Sequence, residues 1–489
     1  MENPQSLQPE ESVSTSALKV AMCETDEDDD AELDTMTDTI RIVDLDIINE
    51  QIAETAVQKM YKRFDHLCGR VYDVTIDGTV FNIGAYAWTG YQRYIIQLAK
   101  EMELETTGEE LEGEPVFVSP FGFTTWTGQN LVDTGKLQIA YNDSMQIIEK
   151  EALDFASRMV NNYNQRGNET FSSMAEYLSY GDLMTWPQLS SREYYTNKGI
   201  ELEFQDLAMA PQANLISNNG MESHVFSMQL SLTTSMGKGA TCSRGKLAAC
   251  TLVIGVSTAD LQLNATVHNI KQIDRKLEIS YNVNGIQHTI HSDYVVIAAP
   301  LEKTGIHFEN FELPIDPPAR QWHESYSYII IADGMNPNFF NVSAEWDEPN
   351  FVTGSPSFPE VGEFLYCYLS AIINGSKYYS LATGYDVTEQ LDLLLINPKL
   401  KFVHHWEYSH AVLKPQNPDQ YQEILLAPSL YNIGAVEGLM SQMEGSIILA
   451  RDIALLIANT HNISNVLISS MTTLMSHKTF GSKWIKLPY

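Results

Sequence analysis

Paired cysteines, long apolar runs and basic segments are scarce in this 489-residue chain, and each absence excludes a class of protein. The five cysteines are scattered and form no Cys-x-x-Cys, which argues against a zinc ribbon or a dithiol redox site. No run of 18 apolar residues occurs, so we expect no membrane-spanning helix. The net charge of −33 argues against nucleic acid or an anionic membrane surface as a partner. No P-loop or metal-ligand cluster is visible, so no metal site is predicted.

Glycine is missing where a nucleotide-binding fold would need it. Residues 39–45 alternate like a strand, and residues 53–61 have the pattern of a helix. A dinucleotide-binding unit places Gly-x-Gly-x-x-Gly between two such elements, because bare backbone lets a diphosphate approach. No glycine occurs between Ile40 and His66, so the sequence predicts a degenerate N-terminal unit. A missing first exon would explain both this loss and the absence of an apolar signal-peptide core at the N-terminus.

The N-terminal 38 residues differ in composition from the rest of the chain. They carry 12 acidic residues and one basic residue, Lys19, with few large apolar side chains. This composition predicts a disordered acidic tail. The remaining chain is long enough to bury a large core, and two domains are expected.

Residues 430–456 have the most informative local pattern. A short apolar strand leads into a turn that contains Gly434 and Gly438, and from Met440 onward apolar residues recur with a helical period. A strand, a small-residue turn and a helix together are typical of an anion site, because N–H groups at the helix start point outward. An ordinary strand–helix junction of any α/β domain has the same pattern, so both interpretations stay open on the pattern alone.

The order of residues in this segment resembles the prenylcysteine oxidase (prenylcysteine lyase) family, within the flavin amine oxidase superfamily. Tyr431, Val436-Glu437, Ser441, Met443-Glu444 and Ser446 keep the order of that family's C-terminal flavin-contacting segment. Gly434-Ala435 replaces the family's Asn-Gly.

Further motifs extend the resemblance over about residues 65–460. Gly69-Arg70 follows Cys68 where the superfamily has Gly-Gly-Arg, and Gly84-Ala85 stands where the family has Gly-Gly. Residues 293–300 match the family's Asp-x-Val-Val-x-Ala-x-Pro strand. The resemblance implies FAD as the cofactor and places Arg70 at its diphosphate. Catalytic residues are not identified, and the implied cofactor-binding residues are Gly69, Arg70, Gly84, Ala85, Val267, Ala435, Val436, Glu437, Met443 and Glu444.

The resemblance also implies the fold. We expect an α/β protein whose discontinuous Rossmann-like FAD-binding domain, with its degenerate N-terminal unit, is formed by residues 39–112, 240–300 and 426–460. A helical plus antiparallel-sheet substrate domain would be inserted as residues 113–239 and 301–425, followed by a C-terminal extension at 461–489. Local patterns predict helices over residues 91–102, 143–163, 171–184 and 194–208. They also predict hairpins around Asp77-Gly78 and Asn284-Gly285.

The function implied is FAD-dependent cleavage of the thioether of farnesyl- or geranylgeranyl-cysteine to cysteine, a prenyl aldehyde and hydrogen peroxide. Dioxygen would be the second substrate. A flavin-less binding or scaffold protein is a second hypothesis, favoured by the missing glycine loop, by Cys68 and by an altered turn at residues 242–245. An amine oxidase with another substrate is a third. The family implies a lysosomal or secretory location, which six Asn-x-Ser/Thr sequons support weakly, and no oligomeric state is predicted.

Overall fold

The computed structural model describes residues 39–42, 59–62, 69–85, 88–89, 92–101, 106–107, 124–127, 131–167, 169–236, 239–242, 260–311, 319–343, 345–349, 351–354 and 365–460. Every described residue belongs to one compact unit, Thr35–Tyr489. The predicted acidic tail (1–38) and C-terminal extension (461–489) therefore lie outside the described residues.

A six-stranded sheet carries the C-terminal segment. Across the sheet, its strands are Asp260–Gln262, Lys59–Lys62, Thr39–Ile42, Val295–Ile297, Leu430–Asn432 and Leu425–Ala427. Val295–Ile297 and Leu430–Asn432 run parallel, with Val296 opposite Tyr431. Every residue of these two strands is buried, as expected for central parallel strands covered on both faces.

The N-terminal strand does not begin a Rossmann unit. Thr39–Ile42 is antiparallel to both neighbours, pairing Ile40 with Ile297 on one side and with Tyr61 on the other. A strand–helix–strand crossover joins parallel strands, so this pairing has no place for one. The helix predicted over residues 53–61 is wrong at its end, because Lys59–Lys62 is a strand; residues 53–58 lie outside the described part of the chain. Alternation and helical period say nothing about which strand an element will pair with, and tertiary pairing overrode local propensity here.

The helices are numbered in chain order. Their bounds are α1 Arg93–Glu101, α2 Thr134–Ala140, α3 Asn142–Gln165, α4 Met174–Tyr180, α5 Ser191–Asn197, α6 Leu202–Phe204, α7 Ala210–Ser217, α8 Val225–Met236, α9 Leu391–Leu394 and α10 Met443–Thr460. A π-helical turn, Gln205–Met209, joins α6 to α7.

Helices α2 to α8 form the helical block predicted on the substrate side. The helix predicted at 143–163 is confirmed as α3, whose buried face recurs every three or four residues at Met145, Ile148, Ala152, Phe155 and Met159. The helix predicted at 91–102 is confirmed as α1.

Two other predicted helices are shorter than expected. The helix predicted at 171–184 is reduced to α4, which begins after Ser173, whose hydroxyl accepts the N–H of Glu176. The helix predicted at 194–208 is interrupted, because α5 ends at Asn197 and the chain then passes through Gly199 with φ +87°. Such a backbone conformation ends a right-handed helix.

Two further sheets have four and seven strands. The first has the order Ile286–Ser292, Lys276–Val283, Ala265–Ile273 and His307–Glu309. The second has the order Lys399–Ala411, Trp322–Ala332, Ser376–Thr383, Leu365–Ile373, Phe351–Gly354, Thr124–Trp126 and Leu131–Asp133, and is antiparallel except at one parallel pair. Asn284 and Gly285 have φ values of 50° and 80°, which confirms the predicted hairpin turn.

Smaller elements include the hairpin of Asp73–Ile76 and Thr79–Asn82, which turns at Asp77-Gly78 as predicted. Two short sheets pair Gly334–Met335 with Leu395–Ile396, and Trp88–Thr89 and Thr106–Thr107 with Gly239–Cys242.

A single buried cluster joins the helical block to the C-terminal segment. Phe155 of α3, Tyr177 of α4 and Phe226 of α8 belong to the same core as Val436 and Ile448. The C-terminal turn is therefore held against the substrate-side helices by apolar packing, which sets the position of the site described next.

Candidate functional site

Arg70 lies in a turn whose shape depends on two glycines. Gly69 has φ +52°, a conformation that L side chains rarely adopt. Gly84 packs against the same turn, and a Cβ added there would lie less than 3.0 Å from the carbonyl oxygen of Arg70. That oxygen also accepts the N–H of Ala85 at 2.8 Å. The predicted residues Gly69, Gly84 and Ala85 thus shape the backbone that presents Arg70.

The guanidinium of Arg70 gathers three distant segments. One nitrogen (Nη2) forms an ion pair with Glu437, and the other (Nη1) donates to Ser441 Oγ at 2.8 Å and to the carbonyl of Ser409 at 3.1 Å. The central carbon of the guanidinium (Cζ) lies 5.6 Å from the ring centre of Trp322. Ser441 in turn donates to Glu437 at 2.5 Å. The structure therefore brings the predicted residues Arg70 and Glu437 together, and each neutralises the charge of the other.

The turn that carries Glu437 is a 3-10 helix, Ile433–Gly438, at the carboxyl end of strand Leu430–Asn432. Ala435 and Val436 are fully enclosed, and Glu437 is 5% exposed. A Cβ on Gly434 would lie less than 3.0 Å from the carbonyl oxygen of Ala299, which follows the neighbouring parallel strand. Only glycine lets these two strand ends approach so closely.

A second ion pair closes the same edge of the sheet. Arg320 binds both oxygens of Glu302 at 2.8 Å, and donates to the carbonyl of Gly434 at 2.6 Å. Burial raises the pKa of Glu302, but the hydrogen bonds and charge of Arg320 outweigh it, so the pKa lies below its ordinary value. Trp322 donates its indole N–H to Glu302 at 2.9 Å. Trp322 thus connects the two arginine–glutamate pairs.

Glu444 accepts hydrogen bonds from the first backbone N–H groups of helix α1. Its oxygens accept the backbone N–H groups of Tyr94 and Ile95, at 3.0 and 2.9 Å, and the hydroxyl of Tyr163 at 2.8 Å. Helix α1 has no acidic residue in its own first turn, so Glu444 supplies the missing acceptor from 350 residues away. Burial raises its pKa. Its predicted contact with a cofactor stays a prediction, as does that of the neighbouring Met443.

Val267 lies apart from the Arg70 network. It is buried in strand Ala265–Ile273, in a separate core cluster that also contains Ile297 and Leu430. Its predicted contact with an adenine stays a prediction.

A narrow cleft opens beside the C-terminal segment. Its apolar walls are Phe155, Ala156 and Met159 of α3, Leu230 of α8 and Met440. Its polar lining consists of Gln92, Tyr163, Thr233, Gln442 and Glu444. Gln92 donates to Gln442 at 3.1 Å. Helices α3 and α8 and the C-terminal segment therefore enclose a small, mainly apolar space of about 20 Å³, which has room for about one water molecule.

Two buried histidines border these elements. His224 accepts the N–H of Ser227 at 3.1 Å and lies 3.4 Å from the carbonyl of Gly438, and burial lowers its pKa to about 4. Burial, followed by the charges of Arg70 and His323, lowers the pKa of His410 to about 3. Both imidazoles are therefore neutral at physiological pH and add no cation to the site.

Sequence reasoning missed several of these residues. Gln92, Ser409 and Gln442 reach the site by hydrogen bonds across more than 300 residues, and no local pattern marks them. Trp322 lies within the span of the family resemblance, which implies no role for it. No sequence pattern identifies a tryptophan that lies between two arginine–glutamate pairs in the fold.

Within the described ranges, no group of three or more His, Cys, Asp or Glu side chains could hold a metal ion. Of the helices that the structure describes, none is both long and apolar enough to cross a membrane.

The comparisons with known proteins agree with this architecture. Residues 129–358, just under half of the chain, match the family model for prenylcysteine lyase. This match confirms the family resemblance found in the sequence, and the matched region contains both α3 and α8, the helices that line the cleft.

Over 82% of its length, the chain has the fold of solved flavin amine oxidases. A putrescine oxidase bound to putrescine has a TM-score of 0.52 at 15% identity, and a triple mutant of putrescine oxidase scores 0.55 at 14%. Cyclohexylamine oxidase from Brevibacterium oxydans IH-35A scores 0.54 at 12% identity. Each comparison covers 82% of this chain and 93% of the other. The α/β fold class is thereby confirmed; at these identities the likeness concerns the fold alone. No curated protein sequence matches the chain.

Residues at the carboxyl ends of the parallel strands fit one end of an FAD molecule. Asn432 is fully buried where its parallel strand ends, and among the described residues its side-chain oxygen has no hydrogen-bond partner. A buried acceptor of this kind is satisfied by an N–H donor, such as the one on a flavin ring. The diphosphate end fits less well, because the sequence lacks the glycine loop and Arg70 is engaged by Glu437.

Proposed function

We propose that the chain is an FAD-dependent oxidase that cleaves the thioether of prenylcysteine. The prenylcysteine lyase domain and the flavin amine oxidase fold support an oxidoreductase. The single observation that favours a prenyl substrate is the match of residues 129–358 to the family model for prenylcysteine lyase.

The overall reaction consumes a prenyl thioether, dioxygen and water, and yields cysteine, a prenyl aldehyde and hydrogen peroxide. When bound, FAD supplies the hydride acceptor for the carbon next to sulfur and passes the two electrons to dioxygen. The chain's own residues would bind and orient the substrate and the cofactor.

For the cofactor, the proposed ligands lie at the carboxyl ends of the parallel strands. Asn432 would accept a ring N–H. Arg70 would meet the diphosphate as a guanidinium fork, in exchange for part of its contact with Glu437.

The absorbance of the purified chain between about 350 and 500 nm, before and after adding FAD, tests the cofactor. We expect flavin bands that are lost under anaerobic conditions when S-farnesyl-L-cysteine is added, and that return with dioxygen. Arg70→Met is expected to lose flavin on dialysis, whereas Arg158→Met, which removes a half-buried arginine that pairs with Asp154 and Asp182 instead, is expected to retain it. A chain that shows no bound-flavin bands after incubation with excess FAD and removal of the free cofactor would contradict the proposal.

A flavin-less binding protein is the second candidate, and one observation favours it. The N-terminal strand is antiparallel where a diphosphate cradle needs a parallel one, and Arg70 is already neutralised. Such a protein would bind S-farnesyl-L-cysteine without flavin and without forming peroxide. Equilibrium dialysis of the flavin-free chain with that ligand separates the two candidates.

We also propose a lysosomal or secretory location, which rests on the family resemblance and the sequons. A shift in electrophoretic mobility after endoglycosidase treatment of the natural protein supports it, and unmodified asparagines at all six sequons would oppose it.

A further inference from the structure

The carboxyl ends of two neighbouring strands meet at the edge of the six-stranded sheet that carries Asn432. Val295–Ile297 and Leu430–Asn432 are parallel, so the chain leaves both strands at this edge. Thr39–Ile42 lies next to Val295–Ile297 but is antiparallel to it, so the carboxyl end of Thr39–Ile42 is at the opposite edge. A loop that follows Thr39–Ile42 therefore starts away from Asn432.

The backbone before Gly69 also lacks the chemistry of a diphosphate cradle. In a dinucleotide-binding unit, the glycine loop after the first strand lets backbone N–H groups approach both phosphates. No glycine occurs among residues 1–68 of this chain. The composition of these residues and the direction of Thr39–Ile42 thus agree that a phosphate at this edge depends on side-chain donors.

Two arginines lie at this edge, and most of their donors are already used. A guanidinium carries five N–H groups. In bonds to described residues, Arg70 uses three of them and Arg320 uses four. Two donors therefore remain on Arg70 and one on Arg320, which is enough for one phosphate and too few for the two phosphates of a diphosphate.

Arg70 is the more accessible of the two arginines. Its side chain is 23% exposed, against 11% for Arg320. The 3-10 helix Ile433–Gly438 separates Asn432 from Glu437, the partner of Arg70. Such a helix rises about 2 Å per residue, so the five residues from Asn432 to Glu437 cover about 10 Å. A flavin ring with its ribityl chain has this order of length, so one ligand can reach both Asn432 and Arg70.

We propose that this edge recognises the flavin ring through Asn432 and the first phosphate through Arg70, and that the AMP half of FAD adds nothing to the affinity. The inference rests on the proposed function and names the part of the cofactor that the chain recognises. FMN, which ends at the first phosphate, would then bind as tightly as FAD. Arg70 would be the residue that distinguishes FMN from riboflavin, which lacks the phosphate.

Equilibrium dialysis of the flavin-free, full-length chain against FAD, FMN and riboflavin tests this. We expect the dissociation constants of FAD and FMN to agree within about threefold, and riboflavin to bind about tenfold more weakly than FMN, because it loses hydrogen bonds to a charged group. Arg70→Met should weaken FMN about tenfold and bring it within about twofold of riboflavin. Arg158→Met, which removes an arginine paired with Asp154 and Asp182, is the matched control and should keep the three affinities of the natural chain.

The outcomes separate the inference from the proposed function. FAD that binds more than about threefold tighter than FMN would reveal a contact to the AMP half and overturn the inference, while leaving a flavin-dependent oxidase. Riboflavin that binds as tightly as FMN would overturn the role of Arg70. A natural chain that binds none of the three flavins would overturn the proposed function as well. The comparison of the three flavins uses the natural chain, so it decides the inference even where Arg70→Met does not fold.

Discussion

The ion pair between Arg70 and Glu437 allows a quantitative test of how the site is held together. The side chain of Glu437 is 6% exposed and that of Arg70 23%. Removing the arginine therefore leaves a nearly buried carboxylate whose one remaining hydrogen-bond partner, among the described residues, is Ser441. Breaking a buried pair costs about 3–5 kcal/mol, and the partial exposure of Arg70 places Arg70→Met near the lower end, at about 3 kcal/mol. Glu437→Gln should cost less, about 1.5 kcal/mol, because Arg70 keeps its bonds to Ser441 and Ser409.

The double variant then measures the interaction itself. If the two residues act on each other, Arg70→Met with Glu437→Gln should cost about 1.5 kcal/mol less than the two single changes together. Urea unfolding followed by tryptophan fluorescence gives the three values, and Trp322 reports directly on the neighbourhood of Arg70. Arg158→Met removes two partly exposed pairs, with Asp154 and Asp182, and should cost less than about 1 kcal/mol. Effects of the two single changes that add to within about 0.5 kcal/mol would refute the coupling.

Three further predictions concern the framework of the site and use the same unfolding assay. Gly434→Ala should cost about 3 kcal/mol, because its Cβ would meet a backbone carbonyl, whereas Gly78→Ala, where a Cβ meets nothing within 4 Å, should cost about 1 kcal/mol for its positive φ; equal costs would contradict the packing argument. His224 has a pKa of about 4 in the folded chain against an ordinary 6.5, so below pH 6.5 the unfolded chain binds the proton more tightly. Stability should therefore be complete above pH 6.5 and fall by about 3 kcal/mol toward pH 4, and His224→Asn should flatten that profile. Arg166→Met should cost about 3–5 kcal/mol, because it leaves the fully buried Asp452 with a weakened set of partners, and replacing both residues with apolar ones should restore part of the loss.

Local chemistry accounts for what the sequence predicted well. Asn284-Gly285 has the backbone freedom that a tight hairpin needs, and α3 shows its buried face as a regular repeat. The turn and helix of residues 430–456 were likewise visible in one stretch of sequence. In each case the physical cause lies within a few residues of its effect.

The rest depended on contacts between distant parts of the chain. The sequence marked Arg70 and Glu437 separately, but their ion pair joins residues 367 positions apart. Strand Thr39–Ile42 was recognised as a strand, while its antiparallel pairing with Val295–Ile297 was set by a partner that periodicity does not specify. Gln92 and Gln442 carry no pattern at all until the fold brings their side chains together.

The separation between Arg70 and Glu437 also has a consequence for biosynthesis. A ribosome adds about 5–20 residues per second, so Arg70 is made roughly 20 to 70 seconds before its carboxylate partner exists. Through that interval the start of α1 lacks Glu444 as well, since Tyr94 and Glu444 are 350 residues apart. The N-terminal side of the site can therefore be completed only when synthesis is almost finished, and a ribosome that stalls before residue 437 releases a chain in which this site has never formed.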